Sequence, residues 1–362
     1  MKKIRVGLLF GGRSVEHEVS LLSAKSVLSC IDKDKYEVVL IGIDKNGQWH
    51  LRDEKTFAMT PKHPREMYLD GEKREILLTS NESGKLVSLT HPTQIDTIDV
   101  IFPLLHGTYG EDGTVQGSLK LAGIPFVGAG VLSSAIGMDK DIMKRLWRDA
   151  MLPVTRFITL ESHQLKEIDS ARIIKKFGLP LFVKPSNLGS SIGVVKVKKE
   201  EDFLPALEHA FQYDHKILIE EYVIGREIEC AVIGNEEPIA SLPGEVIPKG
   251  EFHSYEAKYV DDMAVFLIPA PLSPDLVRTI QTLAIKAYQT LSCSGMARVD
   301  FFLTPDHHVI LNEINTIPGF TKLSMFPRVW EASGIPMKEL IDRLITLAID
   351  RFEKEKILRT QI

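Results

Sequence analysis

The stretch Gly295-Met-Ala-Arg298-Val-Asp300-Phe-Phe-Leu-Thr-Pro305-Asp306-His-His-Val309-Ile-Leu-Asn-Glu313-Ile-Asn315 reads as two strands, about 296–303 and 308–315, joined across Pro305-Asp306. Strand side chains alternate between faces, so Arg298 and Asp300 share one face of the first strand. The same alternation places Val309, Leu311, Glu313 and Asn315 on one face of the second. If the two strands form a hairpin, Asp300 faces Glu313 and Asn315. Two carboxylates and an amide oxygen make a hard, anionic donor set of the kind that suits Mg²⁺, which normally keeps phosphate or water ligands as well. The plainer reading is a solvated polar face, but Phe301, Phe302, Ile310 and Ile314 surround these groups with apolar neighbours. Arg298 beside the acids fits contact with an anion that the same metal would hold, since a guanidinium stabilises charge developing on oxygen.

Working outward, Ser273-Pro274 opens the clearest helix of the chain. Leu276, Ile280, Leu283, Ala284, Ala287 and Leu291 share one face, serine caps, and proline sits in the first turn. A last helix is expected over about 337–354. On the N-terminal side, helices are expected from Asp139 through Ala150 and over about 163–177, the second stopped by Gly178 and Pro180. Strand-like runs follow at Leu181 to Lys184, Ile192 to Val197, 216–223 and 226–233, with a helix over 200–212. This central part is α+β. The beginning of the chain differs. Residues 4–10 read as a buried strand broken by Gly11-Gly12, a helix carries Leu21, Leu28 and Ile31, and Tyr36 to Ile43 is a second strand. A strand, glycine turn, helix and strand make a βαβ unit and hence a parallel sheet. Residues 50–95 are polar and weakly periodic and read as an irregular insertion. Ile98 to Leu105 is another buried strand, and the glycine-rich run from His106 to Gly117 reads as loop.

With 362 residues the chain is long enough for two or three packed units. A formal net charge of -5 without any long basic run argues against a nucleic-acid partner, which needs clustered Lys and Arg. Three isolated cysteines, Cys30, Cys230 and Cys293, form no CxxC pair and fit a reduced cytosol. No apolar run is long enough to span a membrane, and Arg5 interrupts the only candidate signal segment.

Lys184-Pro-Ser-Asn-Leu-Gly-Ser190-Ser191-Ile-Gly193 lies between two strand-like runs. Such a loop exposes N–H groups and hydroxyls that can wrap a phosphate, with Lys184 adding charge; taken alone it is more often an ordinary hairpin turn. It also matches G-x-S-x-G, which raises a serine hydrolase with Ser191 as nucleophile. That elbow needs a strand followed at once by a helix, and Ile192 to Val197 is strand-like instead. No G-x-x-x-x-G-K-[ST] occurs, and Gly128-Ala129-Gly130 lacks the third glycine of a dinucleotide fingerprint.

Together, several motifs resemble the D-alanine–D-alanine ligases. They are Gly11-Gly12-Arg13-Ser14-Val15-Glu16-His17-Glu18-Val19-Ser20, His106-Gly107 with Gly110 to Gly117, the Ser/Gly turn, Glu256-Ala257-Lys258-Tyr259, the Gly295 to Asp300 run, and Asn312-Glu313-Ile-Asn315-Thr-Ile-Pro318-Gly319. They stand in family order along nearly the whole chain. The resemblance implies an N-terminal parallel-sheet domain (1–135) followed by a two-lobed ATP-grasp fold, with a central lobe (136–223) and a C-terminal lobe (224–362) that carries a metal site and a closing loop over 248–263. It implies that ATP and D-alanine are substrates, that Asp300, Glu313 and Asn315 hold two Mg²⁺ or Mn²⁺ ions, and that a homodimer works in the cytoplasm on cell-wall precursors.

The residue roles carry over in the same way. Lys140, Lys184, Ser190, Ser191 and Lys258 match groups around the ATP phosphates. Glu220 to Val223 matches the interlobe segment that reads adenine, and Glu227 the residue on the ribose. Many members have a lysine and an aromatic after the first glutamate. Here Glu221-Tyr222 stands there, so backbone groups are expected to carry the adenine contacts, and the role of Tyr222 is in doubt. Glu16 and His106 match groups at the first D-alanine, Ser324 and the Met325 backbone those at the second carboxylate, and Arg298 with the Gly319 N–H the oxyanion site. Glu16, Ser190 and Tyr259 match a hydrogen-bonded trio that shuts the loop. Taken alone, Glu16 is a favourable acid at a helix start, His106 a loop histidine and Tyr259 a surface aromatic. The expected reaction is ATP-dependent formation of an acyl phosphate and its capture by the second amine. The rivals are a D-alanine–D-lactate or D-alanine–D-serine ligase, another carboxylate–amine ligase, and a nucleotide-binding regulator without turnover.

Overall fold

The computed structural model of the chain describes residues 2–59, 74–78, 85–88, 94–248 and 264–359. Among them, three sheets follow one another along the sequence. The first is seven-stranded and is built on β1 (Ile4–Gly11), β2 (Tyr36–Ile43), β3 (Trp49–Arg52), β4 (Arg74–Leu78), β5 (Lys85–Ser88), β6 (Gln94–Thr97) and β7 (Val100–Pro103). Its order is β6-β5-β4-β3-β2-β1-β7. β1 pairs in parallel with both β2 and β7, as an apolar strand buried on both faces requires. From β2 outward to β6 every pairing is antiparallel. The parallel part is therefore only the three strands at one end, β2-β1-β7. The segment read as an irregular insertion supplies the four antiparallel strands β3 to β6 and the helix Glu54–Met59, because short strands with mixed polarity show little periodicity.

The turn after β1 depends on Gly11. Its φ is +95°, and a Cβ there would lie 2.1 Å from the Ile43 carbonyl oxygen, the atom that accepts from the Gly12 N–H at 2.8 Å. Helix His17–Cys30 then packs its apolar side on the sheet. Thr114–Leu121 is helical, against the expectation of loop, because Val115 and Leu119, four residues apart, both face the core, and the helix takes in Gly117.

The second sheet has the order β10-β9-β11-β8, from β8 (Phe157–Glu161), β9 (Leu181–Pro185), β10 (Val195–Val197) and β11 (Lys216–Glu221). The expected helix over 163–177 is two pieces, a 3₁₀ turn over Ser162–Glu167 and an α-helix Ser170–Phe177 restarted by an Asp169 cap. The third sheet runs β15-β14-β12-β16-β17, with β13 (Ile239–Ala240) beside β12. Here β12 is Arg226–Gly234, β14 Gly244–Pro248, β15 Ala264–Leu267, β16 Gly295–Leu303 and β17 Val309–Asn315. The Ser273 hydroxyl caps helix Pro274–Thr290 by accepting from Leu276 N at 3.3 Å.

Apolar packing divides the molecule unevenly. One core is shared by the first sheet, through Val6, Leu8 and Phe102, the third, through Ile233 and Met296, helix Met325–Ala332, through Phe326 and Trp330, and helix Met337–Lys356. The four-stranded sheet keeps a separate core of its own, around Leu181, Phe203 and Ile219.

Candidate active site

β16 and β17 form the expected antiparallel pair, with Arg298 opposite Asn315 and Asp300 opposite Glu313. Between Asp300 and Phe301 the register shifts, so Phe301 pairs with Leu311 and Asn312 is the extra residue. The bulge corrects the expected alternation. Val309 and Leu311 turn into the apolar core with Ala297, Val299 and Phe301, while Glu313 and Asn315 turn to the other side with Arg298 and Asp300. Without that extra residue Leu311 would lie on the charged face.

On that face Arg298 makes a bidentate pair with Asp300, Nε to Oδ1 and Nη2 to Oδ2 at 2.7 Å each. Arg298 Nε also lies 2.9 Å from Glu229 Oε2, and Glu229 stands opposite Asp300 on β12. Three acids thus line up across three strands, Glu229, Asp300 and Glu313. Glu229 had no assigned role; it becomes visible only once β12 is laid beside β16. Asn315 Oδ1 accepts from Ile317 N at 3.1 Å, which fixes which end of the amide faces the site.

Helix Lys140–Asp149 brings cations to this face. Asp139 caps it, its Oδ1 accepting from Asp141 N at 3.1 Å and Ile142 N at 3.2 Å. The buried Lys140 donates from Nζ to the Leu188 carbonyl at 2.7 Å and lies 3.4 Å from Glu313 Oε2. It therefore joins the Ser/Gly turn to the acidic face. On β9, Lys184 Nζ lies 2.6 Å from Glu220 Oε2, and the fully buried Lys144 lies 3.1 Å from Glu220 Oε1. Burial works to raise the Glu220 carboxyl, but the two lysines outweigh it and hold the group below the usual carboxylate range.

The Ser/Gly turn carries Ser190 at φ +53° and Ser191 at φ +58°, then Gly193 at +69°, before β10 begins at Val195. No helix follows it, so the strand–turn–helix context of a hydrolase nucleophile is missing. Its root is tied by Asp214, whose Oδ2 accepts from Asn187 N at 2.8 Å and Nδ2 at 2.9 Å. Ser190 Oγ donates to Glu16 Oε1 at 2.5 Å, although the two are separated by 174 positions. Glu16 is the residue immediately before helix His17–Cys30 and is buried.

Beside Glu16 lies a second buried acid, Glu111, whose Oε2 accepts from Gly107 N at 2.7 Å. Burial first, and the Glu16 charge second, push it up to about 8. His106 is buried between Ser23 Oγ (3.0 Å from Nε2) and the Ile317 carbonyl (3.1 Å from Nδ1), and burial lowers its pKa. Ser23 Oγ also accepts from Phe320 N at 3.2 Å, which sets the backbone next to Gly319. A Cβ on Gly319 would come within 2.7 Å of Ser324 Oγ. Ser324 precedes helix Met325–Ala332 without capping it through its side chain, so the first N–H groups of that helix are available to an anion.

Three further expected residues follow the end of β11. Tyr222 packs on Phe182 (centroids 5.9 Å apart) with Lys196 Nζ 4.0 Å above its ring, and Val223 follows at the end of β11. Glu227 stands on β12, opposite Phe302 and two residues before Glu229. Lys258, Tyr259 and nearly all of the loop over 248–263 lie outside the described residues.

Comparison with known proteins bears on the same residues. Family models described as "D-ala D-ala ligase N-terminus" and "D-ala D-ala ligase C-terminus" match residues 5–129 and 146–346. The chain belongs to the D-alanine–D-alanine ligase family. It is 50% identical over 362 residues to the D-alanine–D-alanine ligase of Oceanobacillus iheyensis, covering 99% of each chain. It is 48% identical over 362 residues to D-alanine–D-alanine ligase A of Escherichia coli strain K12, covering 99% of this chain and all of the relative. The solved D-alanine–D-alanine ligase of Coxiella burnetii superposes with a TM-score of 0.88 at 41% identity, covering 98% of this chain and 97% of that one. The VanG D-Ala:D-Ser ligase from Enterococcus faecalis superposes at 0.85 with 34% identity, covering 96% and 100%. The family places the fold as an N-terminal α/β domain followed by an ATP-grasp pair of lobes. No helix among the described residues is long and apolar enough to cross a membrane.

Proposed function

We propose that this chain joins two D-alanines into D-alanyl-D-alanine for peptidoglycan synthesis, with ATP converted to ADP and phosphate. The observation that carries the reading is the charged face on which Asp300 stands opposite Glu313, with Arg298 between acids and Lys140 adjoining. A carboxylate and an ammonium do not condense in water without activation. Transfer of the γ-phosphoryl to a carboxylate oxygen of the first D-alanine forms an acyl phosphate and releases ADP. The second amine, having lost a proton, attacks the acyl carbon, and the C–O bond to phosphate breaks. Positioning and charge neutralisation account for most of such catalysis.

In this reading Glu16 takes the first ammonium, with His106 nearby, and its hydrogen bond to Ser190 ties the substrate pocket to the phosphate loop. Lys140, Lys184 and the Ser190-Ser191 turn hold the triphosphate, Glu220 to Val223 the adenine, and Glu227 the ribose. Arg298 and the Gly319 N–H take the oxyanion, and the helix start at Ser324 and Met325 takes the second carboxylate. Lys258 and Tyr259 complete the closed site. Asp300, Glu313 and the Asn315 amide oxygen are donors of the kind a hard divalent cation takes, and bound Mg²⁺ or Mn²⁺ would neutralise phosphate charge there. A homodimer and a cytosolic location, in keeping with three free cysteines, belong to the same proposal.

The test is product analysis after incubation with ATP, Mg²⁺ and D-alanine, L-alanine, D-serine or D-lactate, singly and mixed. Phosphate release should require D-alanine, and the dominant product should have the mass of the D-alanine dipeptide. A dominant depsipeptide or mixed D-serine product, or phosphate release indifferent to D-alanine, contradicts it.

A further inference from the structure

Lys144 sits one helical turn after Lys140, and its side chain is fully buried. Its Nζ donates to Thr155 Oγ1 at 2.8 Å and lies 3.1 Å from Glu220 Oε1. Glu220 uses its other oxygen on Lys184 at 2.6 Å. The three charges therefore form a line, Lys144–Glu220–Lys184, closed to water at the Lys144 end. A buried carboxylate with a single lysine makes a neutral pair, and the field of each charge is largely cancelled. With two lysines on one carboxylate the group carries a net single positive charge. Lys144 also feels Glu313, but of the two cations the one nearer the opening is Lys184: its side chain keeps 10% exposure, against 0% for Lys144.

We propose that Lys144 is a positioning residue that neutralises Glu220 from inside the lobe, so that Lys184 keeps an uncancelled positive charge for the nucleotide's phosphates. The inference rests on the reading of Lys184 as a phosphate contact. Burial, opposed by Glu220 and reinforced by Lys184, pushes the Lys144 ammonium down to about 8, still cationic at neutral pH. A lysine kept only for packing would have a hydrocarbon surrounding or a plain hydrogen bond to Thr155. Here the carboxylate is shared between two cations.

Charge arithmetic separates the two roles. Lys144→Gln retains donors for Thr155 and Glu220 but takes the trio from net +1 to zero. Lys144→Arg keeps the trio at net +1 and retains donors for Glu220. The measurements are KM for ATP and D-alanine, and Kd for a non-hydrolysable ATP analogue, with thermal melting as a check of folding. Lys144→Gln should raise KM and Kd for nucleotide about ten-fold, leaving KM for D-alanine within about two-fold. Lys144→Arg should stay within about three-fold of the parent.

Unchanged nucleotide affinity in Lys144→Gln overturns the inference, as does a folded Lys144→Arg as weak as Lys144→Gln or weaker. If Lys144→Gln does not fold, Lys144→Met, which also removes the charge, decides: weakened nucleotide affinity with KM for D-alanine retained supports the inference, and parental nucleotide affinity overturns it. Lys184→Met is the control for the underlying reading. If it leaves nucleotide affinity intact, the placement of the phosphates at Lys184 is what fails.

Discussion

Glu111 is a buried acid one pocket wall from Glu16, held up to about 8 by burial and by its neighbour's charge. Its folded-state pKa lies above its unfolded value. The native state therefore holds a proton that the unfolded chain has lost over the interval between the ordinary carboxylate range and about 8. Stability from this group is full below that interval and drains away as pH rises through it, on the order of 1 kcal/mol per pH unit. Glu111→Gln keeps the shape and removes the titration. The melting temperature of the parent should fall from pH 6 to pH 8 more steeply than that of the variant, and parallel curves would show that Glu111 is ionised throughout. At this scale the sequence was informative only where residues cluster within a motif. Asp300, Glu313 and Asn315 announce themselves by spacing on adjacent strands. Glu229, Lys144 and Ser23 do not, because each reaches the site through strand register or helix packing that no local pattern records. Glu111 lay inside a recognised motif, but its role as a second buried acid depends on Glu16 arriving from another segment.

The elements that aim the site are small devices at their ends. Asp139 caps helix Lys140–Asp149, accepts from Ser186 Oγ at 2.8 Å and pairs with Lys216 Nζ at 2.5 Å. Asp139→Ala removes a cap and leaves Lys216 without its closest partner. It should cost about 2 kcal/mol in urea unfolding. KM for ATP should rise, because Lys140 is the first residue of that helix. A variant with unchanged KM would show that Lys140 is placed by its Leu188 contact alone. Most elements were legible from periodicity and caps, including Ser273 and the apolar face of helix Pro274–Thr290. The antiparallel strands β3 to β6 were not, being short and of mixed polarity. Nor was the bulge at Asn312, which keeps Val309, Leu311 and Ile314 on one core although their spacing changes parity.

The two outer sheets share an apolar core, and Arg351 fastens it. The guanidinium donates to the Gly128 carbonyl at 2.7 Å, the Phe126 carbonyl at 2.8 Å and Ser294 Oγ at 2.5 Å, and stacks over Phe126 at 4.7 Å. Next to it, Gly295 at φ +75° leaves a Cβ only 2.9 Å from the Gly128 oxygen, so the backbones meet directly. Arg351→Met leaves two carbonyls unmatched and should lower stability by about 3 kcal/mol in a single unfolding transition of both outer units. Separate transitions would mean that the shared core does not couple them. This arrangement sets the substrate pocket, with Glu16 and His106, against the acidic face of the third sheet, while the four-stranded lobe brings its lysines from a separate core. Chemistry across that junction is followed most directly with D-alanine labelled with ¹⁸O in its carboxylate and unlabelled ATP. An acyl phosphate broken by the second amine delivers one labelled oxygen to inorganic phosphate, and mass spectrometry of that phosphate should find it beside ADP. Unlabelled phosphate, or label recovered in AMP, would contradict the account.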